Sequence, residues 1–142
     1  MAYYGPIHEQ VRVNGRLTGP IEVDIAMGAI VTKLQELDFY TYYSCQGYLD
    51  SEFVRTGYVY MDSLALWREW MQRWATEYDS LSRPAQIAYW ELINATTESF
   101  HLKVMVGKSH VLIEEYGNYP GSFVIRFKPG FVNRFRALLE ES

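Results

Sequence analysis

Phe123-Val124-Ile125-Arg126-Phe127-Lys128-Pro129-Gly130-Phe131-Val132-Asn133-Arg134-Phe135-Arg136-Ala137-Leu138-Leu139 changes its period halfway. In its first part Phe123, Ile125 and Phe127 alternate with Val124, Arg126 and Lys128, the two-residue rhythm of a half-buried strand. Pro129 suits the opening of a helix. Beyond it Phe131, Val132, Phe135, Leu138 and Leu139 recur on one helical face. A strand that feeds directly into an amphipathic helix calls for a sheet with helices laid on it.

Working upstream, Gly117-Asn118-Tyr119-Pro120-Gly121 reads as a turn. His110 to Glu115 reads as a strand. Phe100, Leu102, Val104 and Val106 alternate with His101, Lys103 and Met105 in another. Residues 86–93 fit either a strand or a helix, and their Tyr, Trp and Ile favour a strand. Ser82-Arg83-Pro84 ends a helix whose stripe is Leu64, Trp67, Trp70, Met71, Trp74 and Tyr78, capped by Asp62 or Ser63. Arg68, Glu69, Gln72 and Arg73 form its solvated side.

Residues 57–61 and 39–45 read as strands, joined by a loop from Gly47 to Thr56. On the second of these, Phe39, Thr41, Tyr43 and Cys45 point one way and Tyr40, Tyr42 and Ser44 the other. Asp24 is a candidate N-cap for a helix over 25–37, with Met27, Ile30, Val31, Leu34 and Leu37 on its apolar face. Val11, Val13 and Leu17 flank Asn14-Gly15, a pair suited to a type I′ hairpin turn. The expected fold is therefore α+β: a mainly antiparallel sheet with about three helices packed on one face, in a single domain over 1–142. The tryptophan stripe is the natural centre of its core.

Composition agrees. The chain has 142 residues, 49% hydrophobic and 21% charged, which excludes a disordered or collagen-like chain. The 13 basic and 17 acidic residues leave a net charge of −4. A chain of that charge is not expected to hold duplex DNA, which demands a basic face. With one cysteine, Cys45, no internal disulfide can form. The N-terminus lacks a basic and then apolar leader, and no apolar run reaches the roughly 18 residues of a membrane span. The expectation is a cytoplasmic protein without a membrane partner, in which the sequon Asn94-Ala95-Thr96 is a chance match.

Three groups of residues are candidates for function. The first is Thr41-Tyr42-Tyr43-Ser44-Cys45-Gln46-Gly47, where a strand gives way to a turn. Cys45 is a nucleophile if a base lowers its pKa, and His8, His101 and His110 could reach it only through the fold. Otherwise it is a small buried side chain. Gln46 can donate to a carbonyl or a base edge, and Gly47 permits close backbone approach.

The stretch from Val23 to Gly47, ending in Thr41-x-x-Ser44-Cys45-Gln46-Gly47, resembles small proteins encoded by tailed bacteriophages. Gly57-Tyr58-Val59-Tyr60-Met61 and Val124-Ile125-Arg126-Phe127-Lys128-Pro129 fit the same pattern. A remoter similarity runs to the wybutosine-synthesising methyltransferase family, protein 3, whose strand ends in Ser-Cys-Ser-Gly-Arg. Ser44, Cys45 and Gly47 match that tract. Gln46 and Tyr48 depart from its Ser and Arg, which weakens any carry-over of tRNA binding.

The second group is a tyrosine face. Tyr40 with Tyr42, and Tyr58 with Tyr60, share faces of two strands. If those strands are neighbours, four phenols line one surface able to stack on bases at about 1–3 kcal/mol each. Ordinary cross-strand pairing or a subunit interface would use the same rings. The third group is basic: Arg126, Lys128, Arg134 and Arg136, with the helix start at Lys128-Pro129-Gly130 as an anion site. Asn14-Gly15-Arg16 is a weaker phosphate contact.

Familiar motifs fail. Gly107-Lys108-Ser109 imitates the end of a phosphate loop, but Leu102 stands where a glycine is required. One cysteine and three scattered histidines give no zinc spacing. Asp50/Glu52 and Glu114/Glu115 are weak acid–base pairs. No cofactor and no metal are expected. The leading expectation is a non-enzymatic binder of a small nucleotide-like ligand, held by Tyr40, Tyr42, Ser44, Cys45, Gln46, Tyr58, Tyr60, Arg126 and Lys128. The phage resemblance implies a counter-defence role, sequestering a signal in the host cytoplasm. The alternatives are a Cys45-dependent or methyltransferase-like RNA-modifying enzyme, and an inhibitor of a host protein. A homodimer is compatible with all three.

Overall fold

Alternating strands bury one face only if a second layer covers it. The computed structural model describes residues 10–15, 19–45, 48–49, 54–55, 57–97, 111–115, 121–128 and 130–141. In chain order it holds β1 (Gln10–Gly15), β2 (Gly19–Asp24), α1 (Gly28–Glu36), β3 (Thr41–Cys45), β4 (Tyr48–Leu49), β5 (Val54–Arg55), β6 (Gly57–Met61), α2 (Leu64–Glu77), α3 (Arg83–Thr97), β7 (Val111–Glu115), β8 (Phe123–Phe127) and α4 (Phe131–Glu140). The fold is α+β. Its main sheet has the order β3-β6-β8-β7, antiparallel throughout, beside the two-stranded pairs β1-β2 and β4-β5.

The helices gather on one face of that sheet. Val59 and Met61 of β6, Phe123, Ile125 and Phe127 of β8, and Val111 and Ile113 of β7 point into a core shared with all four helices. Trp67, fully buried, touches Phe39 at 5.9 Å, Trp70 at 5.0 Å, Phe123 at 5.7 Å and Phe135 at 6.2 Å. The expected stripe of α2 is thus the core, with Leu64, Trp67, Trp70, Met71 and Trp74 buried and Tyr78 half-buried. Among the described residues the indole N–H groups of Trp67, Trp70 and Trp74 find no hydrogen-bond acceptor, so ring packing holds them, with the Arg73 guanidinium 5.8 Å over Trp74 as well. All five expected core positions of α4 are buried as well.

Local signals set the helix ends. Ser63 caps α2, its hydroxyl accepting from the Leu66 amide at 3.3 Å. The Leu64 amide donates to the Gly121 carbonyl at 2.8 Å, and Gly121 has φ +82°, a conformation glycine adopts without strain. At the end of α1, Asp38 takes φ 73°. There the Phe39 amide donates to the Leu34 carbonyl at 3.0 Å and the Asp38 amide to the Gln35 carbonyl at 3.1 Å. This is a Schellman ending with aspartate in the usual glycine place. It drops Phe39 into the core and aims the chain into β3.

Three expectations are corrected. Residues 86–93 are not a strand but the middle of α3, so the described residues hold four α-helices where about three are expected. Ser82 caps α3 through the Ala85 amide at 3.4 Å, and Pro84 sits harmlessly in its first turn. Ala85, Ala88, Tyr89, Leu92 and Ala95 form its buried face. Those small residues let α3 lie close and antiparallel to α4, linked by the Glu91–Arg134 ion pair and by the Ser82 amide donating to the Glu141 carboxylate at 3.0 Å.

Second, Asn14-Gly15 is not the turn of the first hairpin. Both residues are in the ladder, opposite Pro20 and Gly19. Asp24 does occupy an N-cap, of a 3-10 turn at Ile25–Met27 that leads into α1, but its side chain makes no capping bond. At the start of α1, a methyl group on Gly28 would lie 2.8 Å from Val11 Cγ1, a measure of how tightly the hairpin is packed. Third, part of the span from Gly47 to Thr56 is paired. The Tyr48–Arg55 pair keeps the register of Cys45–Tyr58, with β4-β5 a two-stranded sheet of its own. The expected strand over 100–106 and the Gly107-Lys108-Ser109 tract lie outside the described residues.

Replacing Trp67 with Ala should lower stability by about 3–5 kcal/mol. Trp90→Ala, at a ring 53% exposed, should cost about 1 kcal/mol or less. Urea denaturation of both variants checks the contrast. Burial and the neighbouring Tyr78 raise the pKa of Tyr89 above the ordinary tyrosine value of 10.0. A raised folded-state value means its stabilisation is intact below the unfolded value and is lost as pH rises through the folded one. Denaturation midpoints should therefore fall in that alkaline window, and Tyr89→Phe should flatten the fall.

Candidate functional site

The tyrosine face begins where β3 joins β6. The Tyr40 amide donates to Asp62 Oδ1 at 2.9 Å, and the Asp62 amide returns a bond to the Tyr40 carbonyl at 3.1 Å. Thr41 then pairs with Met61 in register, and its hydroxyl accepts from the buried Gln35 Nε2 at 3.2 Å. The next pair, however, is Tyr43 with Tyr60. Tyr42 is an extra residue, a β-bulge in which two residues oppose one.

That single insertion decides the site. Simple alternation places Tyr42 and Tyr43 on opposite faces. The bulge brings both against Tyr60, with ring centroids at 4.8 Å and 6.3 Å, the second pair nearly parallel at 4°. Tyr40 meets Tyr42 edge-on at 4.7 Å. After the bulge, Cys45 lies opposite Tyr58, and Tyr58 lies opposite Arg126 of β8. The Arg126 guanidinium stands 5.8 Å over the Tyr58 ring, a cation–π contact. Tyr60 is anchored by a hydrogen bond of 3.1 Å between its hydroxyl and that of buried Ser122.

Exposure separates the rings by role. Tyr60 is 7% exposed, whereas Tyr42 is 37% and Tyr43 69% exposed. Tyr60 is the floor; Tyr42 and Tyr43 are the accessible rings. Two concavities adjoin here. One, of about 290 Å³, is lined by Tyr43, Tyr58, Tyr60, Val124 and Arg126. The other, of about 280 Å³, lies between β2 and β3 and is lined by Glu22, Val23, Thr41, Tyr42, Tyr43, Ser44 and Tyr58. Each is near the lower bound of small-ligand pockets, roughly 300 Å³. Glu22 also lies 3.9 Å from Arg12, both side chains well exposed, a weak pair.

Of the candidates read from sequence, Tyr42, Ser44, Tyr58, Tyr60 and Arg126 converge on these concavities, and Tyr40 supports them through Tyr42. Cys45 is half-buried and lines neither. Lys128 is half-buried just past β8 and also lines neither. Arg134 is engaged by Glu91, and Arg136 Nε donates to Glu140 at 2.8 Å, so the basic group does not converge. Gln46, all three histidines and Arg16 lie outside the described residues. Among the described residues no group of three His, Cys, Asp or Glu is placed to hold a metal ion.

Sequence reasoning named Tyr43 only within the Thr41–Gly47 tract and not among the binding residues, and it did not single out Glu22 or Val124. A bulge carries no alternation signal, and Glu22 reaches the site only because the first hairpin folds beside β3. The chemistry on offer is stacking on phenol rings, anion pairing by one guanidinium, and hydrogen bonding by one carboxylate. No family model, curated protein or solved structure matches this chain.

Tyr60→Phe should destabilise the fold by about 1 kcal/mol, the net value of a buried hydrogen bond. Tyr43→Phe should change stability by about 0.5 kcal/mol or less. Thermal and urea unfolding of the two variants distinguishes the structural ring from the accessible one.

Proposed function

We propose that this protein is a non-catalytic binder of a small nucleotide-like ligand. The observation that carries this is the pairing of an arginine with stacked phenols in one concavity: Arg126 over Tyr58, walled by Tyr43 and Tyr60. Phenol faces accept a base by stacking, and a guanidinium takes phosphate oxygens in a two-pronged bond. A ligand with a flat ring at one end and an anion at the other uses both. The net charge of −4 favours a small anion held by few residues over a long polyanion.

The resemblance of the Thr41–Gly47 tract to phage proteins extends the proposal to counter-defence. In that role the protein sequesters a host signalling nucleotide rather than turning it over. Cys45, which lines neither concavity, has no part in the binding proposed here.

Calorimetry and thermal shift with a panel of linear and cyclic nucleotides test this. At least one should bind and raise Tm, and binding should weaken with added salt. Arg126→Ala and Tyr43→Ala should each lower affinity at least tenfold, about 1.4 kcal/mol, while Cys45→Ser binds as the parent does. Failure of every nucleotide to bind, or full binding by Arg126→Ala, removes the proposal.

A further inference from the structure

The site has two compartments of nearly equal size, and Tyr43 and Tyr58 belong to the wall of both. Their polar groups are opposite in character. Arg126 gives the compartment over the sheet a cation. Glu22 gives the compartment between β2 and β3 a carboxylate, on a side chain that is 63% exposed and only weakly engaged by Arg12. A mononucleotide that places its phosphate on Arg126 and its base against Tyr43 fills the first and leaves the second vacant.

We infer that the ligand is a dinucleotide, with Tyr43 between its two halves and Glu22 reading the second base. This rests on the nucleotide-binding function proposed above. The two accessible rings, Tyr42 and Tyr43, both line the second compartment, so it too offers phenol faces to a base. Glu22 accepts hydrogen bonds and cannot donate them when ionised. It therefore selects a base edge that carries N–H groups. Guanine carries two adjacent ones, on N1 and N2, spaced for the two oxygens of a carboxylate. Uracil presents carbonyl oxygens on either side of its one N–H and is repelled. The acidic group thus serves as a base reader in a site whose anion contact lies elsewhere, on Arg126.

The test is calorimetric titration of the full chain with three probes: guanosine monophosphate, the dinucleotide GpG and the dinucleotide UpU. GpG should bind at least tenfold more tightly than guanosine monophosphate and at least tenfold more tightly than UpU. Glu22→Gln should lower the affinity for GpG at least tenfold, with Tm showing that the exposed substitution leaves the fold intact. Equal affinity for guanosine monophosphate and GpG overturns the two-compartment ligand while leaving a nucleotide site in place. Equal affinity for GpG and UpU, or a Glu22→Gln variant that binds GpG normally, overturns the base-reading role of Glu22. If none of the three probes binds and the wider nucleotide panel also fails, the nucleotide site itself falls, and this inference with it.

Discussion

The position of Trp67 governs the architecture. Its ring meets Phe39 at the entry to β3, Trp70 on its own helix, Phe123 on β8 and Phe135 on α4. One side chain therefore ties two helices to β8 and to the segment that enters β3. Aromatic contacts of this kind combine large buried area with defined geometry, so the helical layer is committed to one face of the sheet. Tyr43, Tyr58, Tyr60 and Arg126 lie on the far face, where Leu112 and Val124 are buried as well.

Position alone does not make a site of that face. In a regular ladder, one of each adjacent tyrosine pair would be lost to the core side. The bulge at Tyr42 changes the count on one strand only, so two exposed rings share the buried ring of Tyr60 as a floor. Fixing the floor matters as much as exposing the walls. Tyr60 is locked through Ser122, whereas Tyr43 is largely exposed. Arg126 then joins the rings through simple register, directly opposite Tyr58.

How much of this could be read in the sequence follows from how local each signal is. The helix stripes of α2 and α4 and the alternation of β8 were legible because period and burial coincide over many residues. The helix α3 was misread because Tyr89, Trp90 and Ile93 favour strands. Its true signal was the quieter spacing of Ala85, Ala88, Leu92 and Ala95 behind a Ser82 cap and Pro84. The tyrosine face was legible as a set of residues, but membership depended on a one-residue insertion that no periodicity reveals. The neighbouring contribution of Glu22 depends on tertiary folding of the first hairpin, a relation that no local pattern encodes.

The same bulge has a bearing on how copies of the chain meet. Among the described residues β3 is an outer strand of the main sheet, and such strands are templates for pairing with another chain. A strand bearing exposed tyrosines would be prone to it. An extra residue breaks the even spacing of amide and carbonyl groups along the ladder and increases local twist. A second straight strand then cannot follow the edge over its full length. The insertion that assembles the rings thus also makes this edge a poor template for a second copy, and the first hairpin, packed beside β3, covers part of it.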